Sequence, residues 1–369
     1  MQTAPAAQSL TVRGVRTVAV EAPMTHVLGT SIAVIRSAPL LLIDLETTEG
    51  VTGRTYVFCY RPIGARLIAD LVAEAAAMIK GQRVAPLDIA ALLAQRFALF
   101  GITSVVRMAL SGLDAALWDA LAIAQGLPLA ACLGSAPRRI AAYNSNGLGL
   151  MDEPERVADE ALELLAAGFR AVKLRLGYAT LERDLATTRI VRRRIPQDTV
   201  LMVDFNQALS VHEALRRGHA LENEGIDWIE EPIRHDDYAG NAAVARELKT
   251  PIQIGENFNG PQAMAEALAA DACDLVMPDL ARIGGVSGWM QAAGLAAARG
   301  IPMSSHLFAE TSAHLLAATP TCHWLEYMDW AKVLVQEPLR IEDGYAIVPN
   351  RAGCGLVWDE KAVEKYRIG

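Results

Sequence analysis

The chain has 369 residues, 52% of them hydrophobic and 21% charged, with a formal net charge of −8. That length holds a complete barrel and a second module, and the acidic balance gives no electrostatic footprint for nucleic acid or an anionic membrane surface. Five cysteines, an odd number without a CxxC spacing, argue against a disulfide framework and a zinc knuckle and fit a reducing compartment, so a cytoplasmic location is expected.

The opening stretch MQTAPAAQSLTVRGVRT lacks the continuous apolar run of a secretory leader. No later run reaches the roughly 18 apolar residues of a membrane span. From about Ser9 to Tyr60 the text is strand-like, TVRGVRTVAV and then APLLLIDLETTEGVTG, where Glu49-Gly50 separates two runs as a hairpin turn does. Two Ala/Leu-rich stretches follow, LIADLVAEAAAMIKG and VRMALSGLDAALWDALAIAQG, and predict helices that end at glycine. Strands followed by helices mark an N-terminal α+β capping module, expected over residues 1–135.

A different rhythm begins near Ile140 with IAAYNSNG and runs through WLEYM to Met328. Short apolar runs, FRAVKLRLG, VLMVDFNQ, IDWIEEP, PIQIGEN, DLVMPDL and IPMSSHL, each read as a buried strand followed by turn residues and an amphipathic helical stretch. Lys173, Asp204, Glu230, Glu256, Asp279 and His306 lie at or near the ends of these runs, about twenty to thirty residues apart, the pattern of a parallel α/β barrel with a working rim. The barrel is expected over residues 136–338. The tail, residues 339–369, returns to strand-like text in EPLRIEDGYAIVPN and is expected to pack back on the cap. Without a Pro-rich or low-complexity linker, one rigid body is expected.

Asp204, Glu230 and Glu256 sit on consecutive predicted strands, so they can meet around one cation. A single carboxylate is ordinarily a solvated or ion-paired residue. Three at successive strand ends, each flanked by apolar residues, point instead to a hard divalent ion such as magnesium, which prefers oxygen ligands and keeps positions open for substrate. Zinc would call for histidine or thiolate, and neither stands at these strand ends. Glu231, next to Glu230, should face the other way in an extended segment and is read as structural or as supporting the ligands from behind.

In order and spacing, KLRLG, MVDFNQ, WIEEP, GEN, MPDLARIGG and SSHLF resemble the enolase superfamily, and within it the mandelate racemase group. The resemblance runs over nearly the whole chain, through HLLAATPTCHWLE to the tail. It implies a capping domain, a modified (β/α)7β TIM barrel, and Mg2+ held by Asp204, Glu230 and Glu256. It also implies removal of the proton α to the carboxylate of a small-molecule substrate, giving an enediolate. Removing that proton places a second negative charge on the same group, and a metal ion with a neighbouring cation offsets it. Lys173 is read as that cation. Asp279 and His306, on adjacent predicted strands, form a dyad in which the aspartate fixes the imidazole tautomer and raises its basicity. His212, His219, His235, His314 and His323 have no such placement and are read as surface or packing residues.

By the same resemblance, Glu326 is the acid that donates to the far oxygen of the substrate carboxylate, for which it must be protonated. Asn206 is placed near the metal and the α-hydroxyl, and Ser145 near the carboxylate. Both also suit ordinary turn roles. Where a two-base racemase of the group carries Lys-x-Lys, this chain has Lys173-Leu174-Arg175. A guanidinium stays protonated at physiological pH, so Arg175 is a poor base and is otherwise a carboxylate or hydroxyl clamp. Racemisation needs proton transfer on both faces, so the expected reaction is a one-base dehydration of a 2-hydroxy acid through His306. Leu28, Ile35, Phe58, Tyr60 and Leu307 match positions that wall an apolar substrate pocket, which suits a mandelate-like acid and the alternative of racemisation or epimerisation. A carboxylate-binding barrel without catalysis is the remote alternative. The resemblance also implies a homo-oligomer, up to an octamer.

Overall fold

The computed structural model describes residues 9–368; residues 1–8, part of the stretch without an apolar leader run, lie outside them. The chain opens with an antiparallel sheet in the order β1 (Val12–Gly29), β2 (Val34–Thr47), β3 (Thr52–Phe58). Gly50, in the β2–β3 turn, has φ 87°, a conformation that glycine adopts without steric cost. As the central strand, β2 is buried at every residue from Ala38 to Leu45, which explains its unbroken apolar run.

Four helices follow: α1 (Pro62–Ile79), α2 (Pro86–Arg96), α3 (Ser104–Ala124) and α4 (Leu129–Cys132). Proline opens α1 and α2, where its missing N–H leaves no helical bond unmade. On α1, Ala65, Ile68, Val72, Ala75 and Ile79 recur every three or four residues and make one buried face. Just past α1 and α3, Gly81 and Gly126 take φ 80° and 66°, the left-handed stops that their positions predict.

The second unit alternates strand and helix: β4 (Arg139–Asn144), α5 (Pro154–Ala166), β5 (Ala171–Arg175), α6 (Leu181–Arg194), β6 (Val200–Asp204) and α7 (Val211–Leu221). It continues with β7 (Ile229–Glu230), α8 (Tyr238–Glu247), β8 (Ile252–Ile254), α9 (Pro261–Ala269), β9 (Leu275–Val276), α10 (Leu280–Ile283) and α11 (Gly285–Arg299). The last repeats are β10 (Met303–Ser305), α12 (Ala309–Ala317) and β11 (Cys322–Tyr327). Thr180, Ser210 and Asp237 cap α6, α7 and α8, each side chain accepting from the amide three residues on. All eight strands are parallel, and β11 pairs with β4 to close the barrel. Seven strands are followed by α-helices, whereas β11 leads only into a short 3-10 turn at Lys332–Leu334. This is a (β/α)7β barrel with a separate N-terminal cap.

The tail forms β12 (Arg340–Glu342), β13 (Tyr345–Ile347) and α13 (Glu360–Tyr366). It divides in a way the sequence reading did not anticipate. Residues 139–141 of β4 precede the residues that β11 engages, and this free edge pairs antiparallel with β13. The hairpin therefore extends the barrel wall. Farther on, Gly353 N donates to Leu127 O (2.9 Å), Trp358 Nε1 to Asp44 Oδ1 (2.7 Å) and Ile368 N to Ala19 O (2.9 Å), which ties the last residues to the cap. Among the described residues no helix is long and apolar enough to cross a membrane.

Candidate active site

Strand alternation assigns the barrel interior. Ala171, Lys173 and Arg175 of β5 share a face, as do Met202 and Asp204 of β6, and so do Trp228 and Glu230. The lower positions make an apolar plug of Tyr143, Ala171, Met202, Trp228 and Leu275, with the Tyr143 and Trp228 rings edge to face at 5.7 Å. Above it, register sets Arg175 beside Asp204, Asp204 beside Glu230, and Glu230 beside Gln253. Farther round, Asp279 is bridged to His306. The polar layer is thus at the C-terminal ends of the strands, the face on which such barrels carry their chemistry.

A cavity of about 180 Å3 lies over this layer. Leu28, Ile35, Phe58 and Tyr60 of the cap roof it, and Lys173, Arg175, Asp204, Asn206, Glu256, His306, Leu307 and Glu326 line it from the barrel. Three residues read from the sequence as site groups stand behind this first layer: Glu230, Ser145 and Asp279, none more than 3% exposed. Asp279 is nevertheless well placed to orient His306. Its Oδ2 is 2.7 Å from His306 Nδ1, while Oδ1 accepts from the amides of Ala281 and Arg282 at the start of α10. Nε2 of His306 is 3.2 Å from Glu256 Oε2 and 3.8 Å from Glu326 Oε2. Burial alone would lower the imidazole pKa, but Glu256, Glu326 and the bond to Asp279 hold it well above the ordinary value.

Lys173 is 1% exposed, and its Nζ lies 2.5 Å from Glu230 Oε1, 2.8 Å from Glu326 Oε1 and 3.3 Å from Asp204 Oδ2. Burial favours the neutral amine, but these carboxylates outweigh it and keep the ammonium charged. Glu230 also accepts from Gln253 Nε2 at 3.2 Å; burial pushes its carboxyl up, and the Lys173 ammonium opposes that shift.

Two sequence expectations change here. Glu326 was expected as a protonated donor. Burial would raise its pKa, yet Lys173, His306 and the Leu307 amide draw it below the ordinary value, and in this structure both oxygens accept, Oε1 from Ser145 Oγ at 2.7 Å and Oε2 from Leu307 N at 3.0 Å. Glu231 was expected to turn away from the cavity. Its φ of 37° breaks the extended alternation and swings the carboxylate onto the cavity wall, where Asn257 Nδ2 donates to Oε1 at 2.7 Å.

Arg175 is a clamp on the loop after β4. Nη1 donates to the carbonyls of Ser145 (2.7 Å) and Gly147 (2.9 Å), and Nη2 to Ser145 Oγ (2.8 Å). Ser145 Oγ in turn donates to Glu326 Oε1 at 2.7 Å. The serine thus aims Glu326 from behind.

Among the described residues no three histidine, cysteine or acidic side chains already form a coordination shell; the Lys173 ammonium lies between Asp204 and Glu230 instead. The donor set still suits a hard cation. Asp204, Glu230, Glu231 and Glu256 gather oxygen ligands without thiolate, and Asn206 Oδ1 and Glu231 Oε2 are buried without any hydrogen-bond partner. Asn206 is fixed by donating from N and Nδ2 to Asp204 at 2.7 and 3.0 Å, which leaves its Oδ1 free.

Several wall residues are not among the candidates the sequence offers. Ile32, Met328 and Trp330 complete the apolar roof, and Arg282 and Asn257 stand just outside it. Arg282 lies within the quoted run MPDLARIGG, so position relative to a strand end was an available signal; Trp330 lies beyond the last strand in a segment without periodicity.

The chain matches the Mandelate racemase / muconate lactonizing enzyme N-terminal domain over residues 12–134 and the Enolase C-terminal domain-like family over residues 156–362. It is 31% identical over 324 residues to L-talarate/galactarate dehydratase of Salmonella typhimurium, covering 88% of this chain and 81% of that protein. Among solved structures, an enolase from alpha proteobacterium bal199 with bound magnesium superposes with a TM-score of 0.95 at 45% identity, over 97% of this chain and 100% of that one. A Bradyrhizobium enolase in complex with magnesium and mandelic acid gives a TM-score of 0.93 at 41% identity, over 98% of this chain and 99% of that one. Magnesium is the metal of these structures and the cofactor of the family. The chain belongs to the mandelate racemase / muconate lactonizing enzyme group of the enolase superfamily, as a lyase or isomerase.

Proposed function

We propose that the protein is a magnesium-dependent hydro-lyase acting on a 2-hydroxy acid with a β-hydroxyl, and that His306 is its single base. The observation that carries this reading is Arg175 itself: Nη1 and Nη2 are held by Ser145 and Gly147, and a guanidinium that stays protonated supplies no base where a second lysine would stand. Asp204, Glu230 and Glu256 would hold the ion, with Asn206 and Glu231 at its border. Magnesium, when bound, competes for these carboxylates and offsets the negative charge that develops on the substrate carboxylate. Lys173 supplies a second, permanent positive charge on the cavity floor. With Asp279 accepting from Nδ1, Nε2 of His306 is the nitrogen that would take the α-proton, in the neutral form of the ring; here it lies 3.2 Å from Glu256, whose charge favours the protonated form. The C–H electron pair forms the enediolate, the β C–O bond breaks, and the hydroxyl leaves as water with the proton that His306 carries. The enol then tautomerises to the 2-oxo acid.

Proton NMR in D2O with magnesium, over both enantiomers of mandelate and several aldonates, tests this. Loss of water from a β-hydroxylated acid supports the reading. His306→Asn should lower turnover by about 10^3-fold, and full turnover in that variant would remove His306 from its role.

Racemisation of an aryl 2-hydroxy acid is the second reading. The apolar roof of Phe58, Tyr60, Met328 and Trp330 favours it, as does the mandelic acid bound by the Bradyrhizobium relative. Washout of α-protons from both enantiomers of mandelate would select it.

A further inference from the structure

A second cavity, of about 610 Å3, lies beside the inner one, between α1, the start of α3 and the loops after β8 and β9. The side chain of Tyr60 borders both. The inner cavity, at about 180 Å3, is smaller than the ~300–1,000 Å3 of ordinary small-molecule sites, whereas the outer one falls within that range. Tyr60 has φ 60°, a conformation that bulky residues rarely adopt and that must be held by its surroundings. Arg282 holds it: Nη2 donates to the Tyr60 hydroxyl, and the guanidinium lies over the ring, 4.9 Å from its centroid. Nη1 of Arg282 donates to Asn257 Oδ1, and the Asn257 amide donates to Glu231 Oε1 at 2.7 Å and Glu256 Oε1 at 3.2 Å.

Both hydrogen-bond partners of Arg282 are neutral; the charges of Asp279, Glu256 and Glu231 act on it at longer range, with no direct ion pair among the described residues. A guanidinium on a cavity wall with only neutral partners keeps its capacity to bind an anion through two parallel bonds. The rest of the outer cavity is largely apolar, with Ile63, Leu67, Ile68 and Met108 along it.

We propose that the outer cavity is a second substrate compartment, opened when the Tyr60 side chain swings aside, and that Arg282 selects a 2-hydroxy acid with an apolar spacer and an anionic far end. This rests on the reading that a 2-hydroxy acid is enolised at His306. Turning the Tyr60 side chain away joins the two cavities, and the incoming anion takes the place of the phenol on Arg282.

Calorimetric titration of the magnesium-loaded full-length protein with mandelate, 4-carboxymandelate and 4-carboxymethylmandelate tests the proposal, with α-proton exchange in D2O followed in parallel. At least one of the two diacids should bind ten-fold or more tighter than mandelate. Arg282→Met should bring that ratio near one, and Arg282→Lys, which keeps the charge without the fork, should leave part of it. Tyr60→Phe removes the competing hydroxyl and should preserve or raise the ratio, an effect that a merely structural contact would not produce. Equal affinities in the wild type, or a preference that survives Arg282→Met, overturn the compartment. Equal affinities accompanied by α-proton exchange would overturn it while leaving the enolisation reading intact; a preference that depends on Arg282 without exchange of any acid would do the reverse.

Discussion

In the proposed reaction, Arg175 matters through its hydrogen-bond geometry. Three oxygens of the β4 loop, Ser145 O, Gly147 O and Ser145 Oγ, are served by one planar fork. A lysine offers a single ammonium at the end of a flexible stem and cannot reach all three. Arg175→Lys should therefore leave at least one buried acceptor unmet, which costs about 1–3 kcal/mol. It should also loosen Ser145 and, through it, Glu326, lowering kcat/KM. Exchange from the face opposite His306 should stay absent, since the new ammonium would sit beside the carboxylates that already hold Lys173 in its charged form. Thermal unfolding reads the first effect and deuterium incorporation into each enantiomer reads the second. New opposite-face exchange would mean that the arginine replaced a working base.

At the scale of elements, the contact of β3 with α3 fixes where the roof of the site lies. Gly53 of β3 runs so close to α3 that an added Cβ would fall 2.0 Å from the Ala116 carbonyl and 2.6 Å from Ala120 N. Both are backbone atoms of one helix, so neither can turn aside. Gly53→Ala should cost about 1–3 kcal/mol by overpacking, read as a lowered melting temperature, and should raise KM because Phe58, at the end of the same strand, roofs the cavity. An unchanged melting temperature would mean that the sheet and helix separate freely. Most barrel elements were legible because, β4 apart, each strand is a short apolar run with a charged or imidazole group at or near its end, even where, as in Ile229–Glu230 and Leu275–Val276, only two residues are paired. Asp279 with His306, and Lys173 with the carboxylates, were legible for the same reason. Orientation within a strand end was not. The turn of Glu231 onto the wall depends on one dihedral, and the recession of Ser145 behind Glu326 depends on Arg175. The charge of Glu326 is set by neighbours on other strands. The pairing of the tail hairpin with β4 was hidden because partner choice between strands distant in sequence leaves no local pattern.

Across the whole molecule, the cap is keyed to the barrel through a buried carboxylate. Asp114 of α3 accepts from Ser287 N at 2.9 Å and Ser287 Oγ at 2.6 Å, at the start of α11, while Trp118 Nε1 donates to the same hydroxyl at 2.9 Å. Burial raises the Asp114 carboxyl to about 7, and the bonds from Ser287 offset this only in part. In the unfolded chain the group titrates near its usual value of about 4. Below that, both states are protonated and its contribution to stability is fully present. As pH rises toward about 7 the unfolded chain gives up its proton first, so stability is lost across the interval, and above about 7 the loss is complete. Asp114→Asn cannot ionise and keeps polar atoms at both positions. Its melting temperature, measured relative to the wild type at each pH, should climb from about pH 4 to about pH 8 and then level off. A flat difference across that range would mean that Asp114 is charged in the folded protein throughout, and that the junction accommodates an ionised carboxylate beneath the roof of the site.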